Sequence, residues 1–139
     1  ANKRRIVRAI ETNGQEPQSK ELRANTILFG IQTDRETLRA NVVKRVDTML
    51  ELGLENEVEA LSLAYSWDIE PMKGIGYREW RDYFLGTQTL AETRERIISS
   101  TMKLAKKQRT WFKRNNSIHW LSNRDDYVAI LTTLMNKKS

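Results

Sequence analysis

Apolar residues recur at three- and four-residue spacing through most of the chain, which is the period of an amphipathic helix. Stretches with this period cover residues 3–11, 34–52, 54–65, 80–86 and 89–114, and a further one begins at Asp125. Two short segments lack it: 26–32 is a continuous apolar run, and 117–122 alternates around His119. Both have the length of a strand. The pattern therefore predicts a helix-dominated α/β fold with two strands.

Capping residues support these boundaries. Asp34 precedes its helix as an N-cap, and Thr89 and Glu92 have the spacing of a capping box. Gly14 and Gly53 end the first two predicted helices. The segments that contain proline or glycine between helices predict a loop at 15–25 and an irregular stretch at 66–76.

The predicted helix 89–114 separates apolar from cationic side chains. At about 100° per residue, one arc of its second half carries Ile97, Thr101, Leu104, Ala105, Gln108, Trp111 and Phe112. The opposite arc, here called the cationic face, carries Lys103, Lys106, Lys107, Thr110, Lys113 and Arg114. Because no acidic residue occurs between Glu95 and Asp125, these cations have no local counter-charge. The pattern favours a polyanion as partner, and a solvated lysine-rich surface is the alternative.

Two members of the apolar arc carry polar groups. An unpaired amide is costly to bury, so we expect Gln108 to be either a satisfied core amide or bound to a specific partner. We expect Trp111 to lie in the core first, with stacking on a base as the second interpretation.

Composition narrows the function classes. The 139 residues carry a formal net charge of +6 and a pI near 9.7, which favours nucleic acid or another polyanion. The chain has no cysteine and a single histidine, so thiolate metal sites are excluded and we expect neither a metal site nor a catalytic triad. No apolar run approaches the roughly 18 residues of a membrane span, and the default location is cytoplasmic.

Residues 105–113, with the sequence AKKQRTWFK, resemble the A-K-R-Q-x-T-W signature of tRNA dimethylallyltransferases. These enzymes attach an isoprenoid to an adenosine beside the anticodon. Other segments resemble family motifs in the same order along the chain. They are RRIVRAIE at 4–11, RVDTML at 45–50, GIGYRE at 74–79 and TMKLAKKQ at 101–108.

The resemblance implies contacts with tRNA and with the isoprenoid donor. The positions that match tRNA-binding motifs are Arg4, Arg5, Arg8, Lys73, Gly74, Gly76, Tyr77, Arg78, Lys103, Lys106, Lys107, Gln108, Thr110, Trp111 and Lys113. Two positions depart from the family pattern, because Asn41 and Met102 stand where arginines are expected. No residue of this chain is assigned a catalytic or metal-binding role.

Arg45 matches the arginine that meets the donor diphosphate in the family. Arg45 lies beside the apolar stripe of its helix, where a charged side chain needs a partner. Its planar guanidinium can donate two parallel hydrogen bonds, which suits a diphosphate. An ion pair with Asp47 or another nearby acid is the alternative.

The segment from Lys73 to Arg78 is the other candidate anion site. Its two glycines allow a close approach of backbone to ligand, and free N–H groups at a helix start favour phosphate. A plain loop-to-helix turn is the alternative.

The family implies a P-loop-kinase-like three-layer fold to which the strands near 26–32 and 117–122 belong. We expect residues 1–139 to be its C-terminal portion, without the N-terminal half that holds the phosphate loop and the general base. In the implied reaction, the N6 amine of an adenosine in the anticodon stem-loop displaces diphosphate from dimethylallyl diphosphate and takes the dimethylallyl group. Mg²⁺ assists the departure of the diphosphate, and we expect its ligands to lie outside this chain. Exposed sheet edges predict association with that half or with a second copy.

Two other function classes remain open. A non-catalytic basic RNA-binding module shares the cationic face but does not need Arg45. A helical interaction domain with a high pI needs no nucleic acid at all.

Overall fold

A computed structural model describes residues 3–14, 22–23, 26–122, 127–128 and 130. Its helices are α1 (Lys3–Glu11), α2 (Arg35–Glu51), α3 (Leu54–Ala64), α4 (Arg81–Phe84) and α5 (Leu90–Phe112). Its strands are β1 (Leu28–Ile31) and β2 (Ile118–Leu121), and short 3-10 turns occupy Pro71–Lys73 and Arg78–Trp80.

The two strands pair in parallel, with Leu28 opposite Ile118 and Ile31 opposite Leu121. Parallel neighbours need a long crossover, and here α2 to α5 supply it. Gly30 permits this pairing, since a Cβ at that position would lie 2.7 Å from the Trp120 ring. The predicted strands and the helix-dominated α/β class are therefore confirmed.

A single cluster of buried side chains joins α2, α3, the 3-10 turns and the first half of α5. Its members are Val42, Val46, Leu54, Val58, Met72, Trp80, Ile97 and Ile98. Trp80 is fully buried, and its ring contacts Tyr83 edge-on at 5.2 Å and Phe84 stacked at 5.8 Å. This cluster fixes the position of the start of α5 relative to the turn before it.

Side-chain caps begin the two longest helices where the sequence predicts them. Asp34 accepts a hydrogen bond from the Thr37 backbone N–H at 2.8 Å. The Thr37 side chain and then its backbone N–H hold the pKa of Asp34 below its ordinary value through their hydrogen bonds. Thr89 and Glu92 form a reciprocal capping box, with bonds of 3.2 Å and 2.8 Å. The caps of α2 and α5 are thus confirmed.

Several predicted elements differ from the structure. The predicted helix at 80–86 is shorter in the structure: Trp80 ends a 3-10 turn and α4 is a single turn that ends at Phe84, followed by Gly86 at a left-handed φ of 73°. In α1, Ile6, Val7 and Ile10 are 49%, 53% and 70% exposed, so its apolar side is not buried among the described residues.

Two predicted segments lie largely outside the described residues. Of the predicted loop 15–25, only positions 22 and 23 are described. Of the predicted final helix, Tyr127, Val128 and Ile130 are helical, and the rest lies outside the description. Within the described part of the chain, no helix is long and apolar enough to cross a membrane.

Candidate nucleic-acid interface

The second half of α5 presents the cationic face to solvent. Lys103, Lys106, Lys107, Lys113 and Arg114 are all exposed. None of the ion pairs found among residues 3–14, 22–23, 26–122, 127–128 and 130 involves these five side chains. The helix therefore carries a concentrated positive charge that its own carboxylates do not neutralise.

Gln108 and Trp111 do not lie in the core. Gln108 is exposed, and Trp111 is 64% exposed with its ring edge-on to Phe112 at 4.9 Å. The core position expected for Trp111 and the core-amide alternative for Gln108 are wrong because the buried cluster ends near Met102, and α5 continues beyond it for about three turns. Thr110 is also exposed, and its hydroxyl donates to the Lys106 carbonyl at 2.9 Å.

A large groove of about 1840 Å³ lies between the second half of α5 and the strands. Apolar side chains such as Phe29, Ile31, Trp111 and Phe112 line it. Cations line it too, namely Arg35, Arg39, Lys103, Lys106, Arg109 and Arg114. Aromatic rings and cations thus share one concave surface, a combination suited to single-stranded nucleic acid.

Most backbone N–H groups of the glycine turn before α4, residues 74–78, already have acceptors. Gly76 donates to the Glu79 carboxylate at 2.8 Å, and Tyr77 and Arg78 both donate to the Gly74 carbonyl at 3.2 Å and 3.1 Å. Gly74 itself donates to the carbonyl of Pro71. The expected cradle of several free N–H groups is therefore not formed by these four residues, although Gly76 does need its φ of 100°.

Side chains of the same turn are held by carboxylates. The Arg78 Nε donates to Glu79 at 2.9 Å, and the Lys73 ammonium pairs with Glu70 at 3.4 Å. The Tyr77 hydroxyl donates to Glu57 of α3 at 2.5 Å, and this bond raises the pKa of Tyr77. Arg78 and Lys73 remain about half exposed, so both side chains can still contact an anion at this turn.

Arg45 is exposed on α2, next to the buried Val46. The alternative in which it pairs with Asp47 is wrong, because Asp47 accepts two hydrogen bonds from Arg94 at 2.5 Å and 2.9 Å. That bidentate pair lowers the pKa of Asp47, chiefly through the hydrogen bond from Arg94. No ion pair of Arg45 with another described residue is present, which leaves its guanidinium open to an anion.

The two departures from the family pattern lie in different environments. Asn41 is exposed one turn before Arg45, so this side of α2 carries one cation instead of two. Met102 is half-buried and packs against the core cluster while also lining the large groove.

Of the three arginines predicted to bind tRNA in α1, Arg8 is the one whose side chain is described. Arg8 is 76% exposed and pairs with Glu11 at 3.3 Å. The side chains of Arg4 and Arg5 lie outside the described part of the structure.

Sequence reasoning missed a small cavity of about 400 Å³ between the second 3-10 turn and α5. Its lining residues are Arg78, Glu79, Arg96, Ser99, Ser100 and Lys103. Positions 96, 99, 100 and 103 share one side of a helix, and this spacing is the signal that could have found them.

Comparisons with known proteins agree with the motif order. A sequence model of the IPP transferase family matches residues 1–115. The tRNA dimethylallyltransferase of Pediococcus pentosaceus is 39% identical over 86% of this chain and 40% of its own length. That of Acetivibrio thermocellus is 37% identical over 99% of this chain and 47% of its own length. The chain thus spans less than half the length of these curated relatives.

Solved structures give the same picture of the fold. The tRNA delta(2)-isopentenylpyrophosphate transferase of Staphylococcus epidermidis superposes with a TM-score of 0.70 at 32% identity, covering 98% of this chain and 49% of that one. The full-length tRNA isopentenylpyrophosphate transferase of Bacillus halodurans gives 0.72 at 28% identity, covering 99% and 45%. The prediction of part of a P-loop-kinase-like fold is confirmed by this likeness. The chain belongs to the IPP transferase family.

Proposed function

We propose that this chain is the RNA-binding portion of a tRNA dimethylallyltransferase. The whole enzyme transfers a dimethylallyl group from dimethylallyl diphosphate to N6 of an adenosine beside the anticodon, in the cytoplasm. The observation that carries the proposal is the unneutralised cationic face of α5 in a chain of this family. The chain contributes binding energy and orientation, and the bond-making groups belong to the remainder of the enzyme.

The cationic face is suited to the backbone of an anticodon stem-loop. Exposed lysines neutralise phosphates and release counterions, so their contribution to affinity falls as salt rises. Trp111 and Phe112 extend into the large groove beside these lysines, where an unpaired base of the loop can stack. The same helix therefore offers both backbone contacts and a surface for unpaired bases.

Arg45 is suited to the diphosphate of the donor. Its guanidinium is exposed, has five N–H donors and is not held by Asp47. The fork binds two phosphate oxygens at once, which is the geometry that a leaving diphosphate presents.

The family implies Mg²⁺ for the transfer reaction, and we assign its ligands to the remainder of the enzyme. Among the described residues, no three carboxylate or imidazole side chains come together as a metal site.

The proposal is tested by binding of an anticodon stem-loop that carries the target adenosine, with a scrambled stem-loop as control. We expect tighter binding of the correct stem-loop at every salt concentration. Equal affinity for both RNAs would favour a generic basic RNA-binding module. Absence of binding at low salt would contradict an RNA-contacting role for this chain.

The diphosphate contact needs its own measurement. We expect inorganic diphosphate to protect Arg45 from an arginine-modifying reagent, and an Arg45→Gln variant to lose diphosphate binding. The matched control is Lys44→Gln, which removes one exposed charge from the neighbouring position of α2. Equal diphosphate affinity in both variants would contradict the role of Arg45.

A further inference from the structure

The small cavity between the second 3-10 turn and α5 is lined mainly by hydrogen-bond donors. Three of its side chains are cations, Arg78, Arg96 and Lys103, and two are hydroxyls, Ser99 and Ser100. It is a shallow depression open to solvent, and its volume of about 400 Å³ leaves room for one phosphate group with its ester oxygens. Arg96, Ser99 and Ser100 have no part in the function proposed above.

Both arginines of the cavity are held by a carboxylate on one edge and keep donors on another. Arg78 uses its Nε on Glu79, which leaves both terminal nitrogens. Arg96 uses Nη1 on Asp82 at 2.6 Å, which leaves Nε and Nη2. An arginine fixed in this way loses less side-chain entropy when it binds an anion.

Glu79 makes the arrangement rigid. Its side chain is 5% exposed and is held by Arg78 and by the backbone N–H of Gly76 at 2.8 Å. The carboxylate is thus occupied by two internal donors, and it anchors Arg78 to the glycine turn.

The three cations of the site differ in their pairing. Arg78 is paired with Glu79 and Arg96 with Asp82, whereas Lys103 has no ion pair with a described residue. Lys103 can therefore neutralise the one negative charge of a phosphodiester, and the free N–H groups of the two arginines add hydrogen bonds.

The cavity is also continuous with the cationic face. Lys103 lines both the small cavity and the large groove, and Lys107 follows about 6 Å further along the helix axis. A strand that lies along α5 therefore reaches the cavity without changing direction.

We propose that the small cavity binds one phosphodiester of the RNA backbone, with Arg96, Lys103 and Arg78 as charged donors and Ser99 and Ser100 as neutral ones. This inference rests on the proposed function, since it presumes that RNA lies along α5. It adds a phosphate contact at the core end of the helix, away from the exposed end near Trp111.

The test is a coupling measurement on the 139-residue chain. Stem-loops are prepared with a neutral methylphosphonate at one linkage at a time, and each is bound to the wild type, Arg96→Gln and Lys103→Gln. Arg96 is 56% exposed, so its replacement spares the core, and circular dichroism verifies folding. Lys44→Gln is the charge-matched control at an exposed site of α2.

We expect one linkage at which the methylphosphonate lowers wild-type affinity about tenfold, the effect of one charge-assisted contact. At that linkage alone, Arg96→Gln and Lys103→Gln should show little further loss, because the two partners of the contact have both been removed. In Lys44→Gln, the methylphosphonate should lower RNA affinity by the same factor as in the wild type. A variant that combines Arg96→Gln with Lys103→Gln should reduce the magnitude of the salt slope by about 0.7–0.9, the contribution of one phosphate and not of two.

Three results would overturn the inference. The chain could bind the target stem-loop more tightly than the scrambled one and yet show no linkage coupled to Arg96 or Lys103. That result would contradict phosphate binding in the cavity and leave the proposed function intact. Loss of inorganic diphosphate binding in Arg96→Gln without any coupled linkage would assign the cavity to a free anion. A chain that binds no RNA at low salt would overturn both proposals together.

Discussion

In the first half of α5, Thr93, Ile97 and Ile98 are buried against α2 and the 3-10 turns, whereas no described element covers the second half in this way. Leu104, Trp111 and Phe112 continue the same apolar arc but are 43%, 64% and 44% exposed. The arc is continuous in sequence, and the packing is not. A helix of 23 residues thus joins a structural half to a half whose exposed cations and rings are available to a ligand.

The charges of the two halves differ in the same way. Arg94, in the first half, is held by Asp47, and Arg96 is held by Asp82. The lysines of the second half have no such carboxylates among the described residues. Charges that are paired in the fold contribute to its stability, and charges left unpaired are free for a polyanion.

The largest expected difference between the halves is in stability. Ile98→Ala removes a fully buried side chain, and we expect a loss of about 2–5 kcal/mol in the free energy of unfolding. Leu104→Ala, on the same arc but 43% exposed, should cost less than about 1 kcal/mol. Urea denaturation followed by circular dichroism measures both. Similar losses would show that the two halves are packed alike.

The reverse contrast is expected for RNA binding. Trp111→Ala should leave the urea midpoint nearly unchanged, because the ring is largely exposed. Stem-loop affinity should fall by about 1–3 kcal/mol if the ring stacks on a base. Trp111→Phe is the control that keeps an aromatic face. An alanine variant with full RNA affinity would restrict the binding surface to the cations.

A smaller effect should distinguish the paired charges of the first half. The pKa of Asp47 is lowered in the fold, so its stabilising contribution is present above the unfolded value of about 3.9 and is lost as pH falls through the lower folded value. Asp47→Asn should therefore be less stable than the wild type near pH 6, and this difference should shrink towards pH 3. Urea midpoints across that range provide the measurement. A constant difference would mean that the ion pair is not its source.

Sequence periodicity was sufficient for the strands, for the caps at Asp34 and Thr89, and for the fold class. It failed at Gln108 and Trp111, because an apolar arc shows which side of a helix can pack and not where the neighbouring elements end. In the relatives, more than half of the length lies outside the part that this chain matches, so neighbours of α5 cannot be read from this sequence.

The candidate site was predicted only in part. The cationic face follows from spacing and from the absence of nearby acids, both of which are local features. The pairing of Asp47 with Arg94 depends on a tertiary contact between α2 and α5. The hydrogen bonds of the glycine turn are local, and Glu79 has the spacing from Gly76 at which a glutamate accepts from an N-cap N–H. Because glycine has no side chain to complete a capping box, the sequence does not mark this contact.

The most direct test of RNA binding by α5 is the salt dependence of stem-loop affinity in a variant in which Lys103, Lys106, Lys107 and Lys113 are all alanine. If these exposed lysines bind phosphates, the slope of log affinity against log salt should fall by about 0.7–0.9 for each phosphate that the variant no longer neutralises. The urea midpoint should change little, because the four side chains are exposed. An unchanged slope in a folded variant would contradict the claim that the second half of α5 binds RNA.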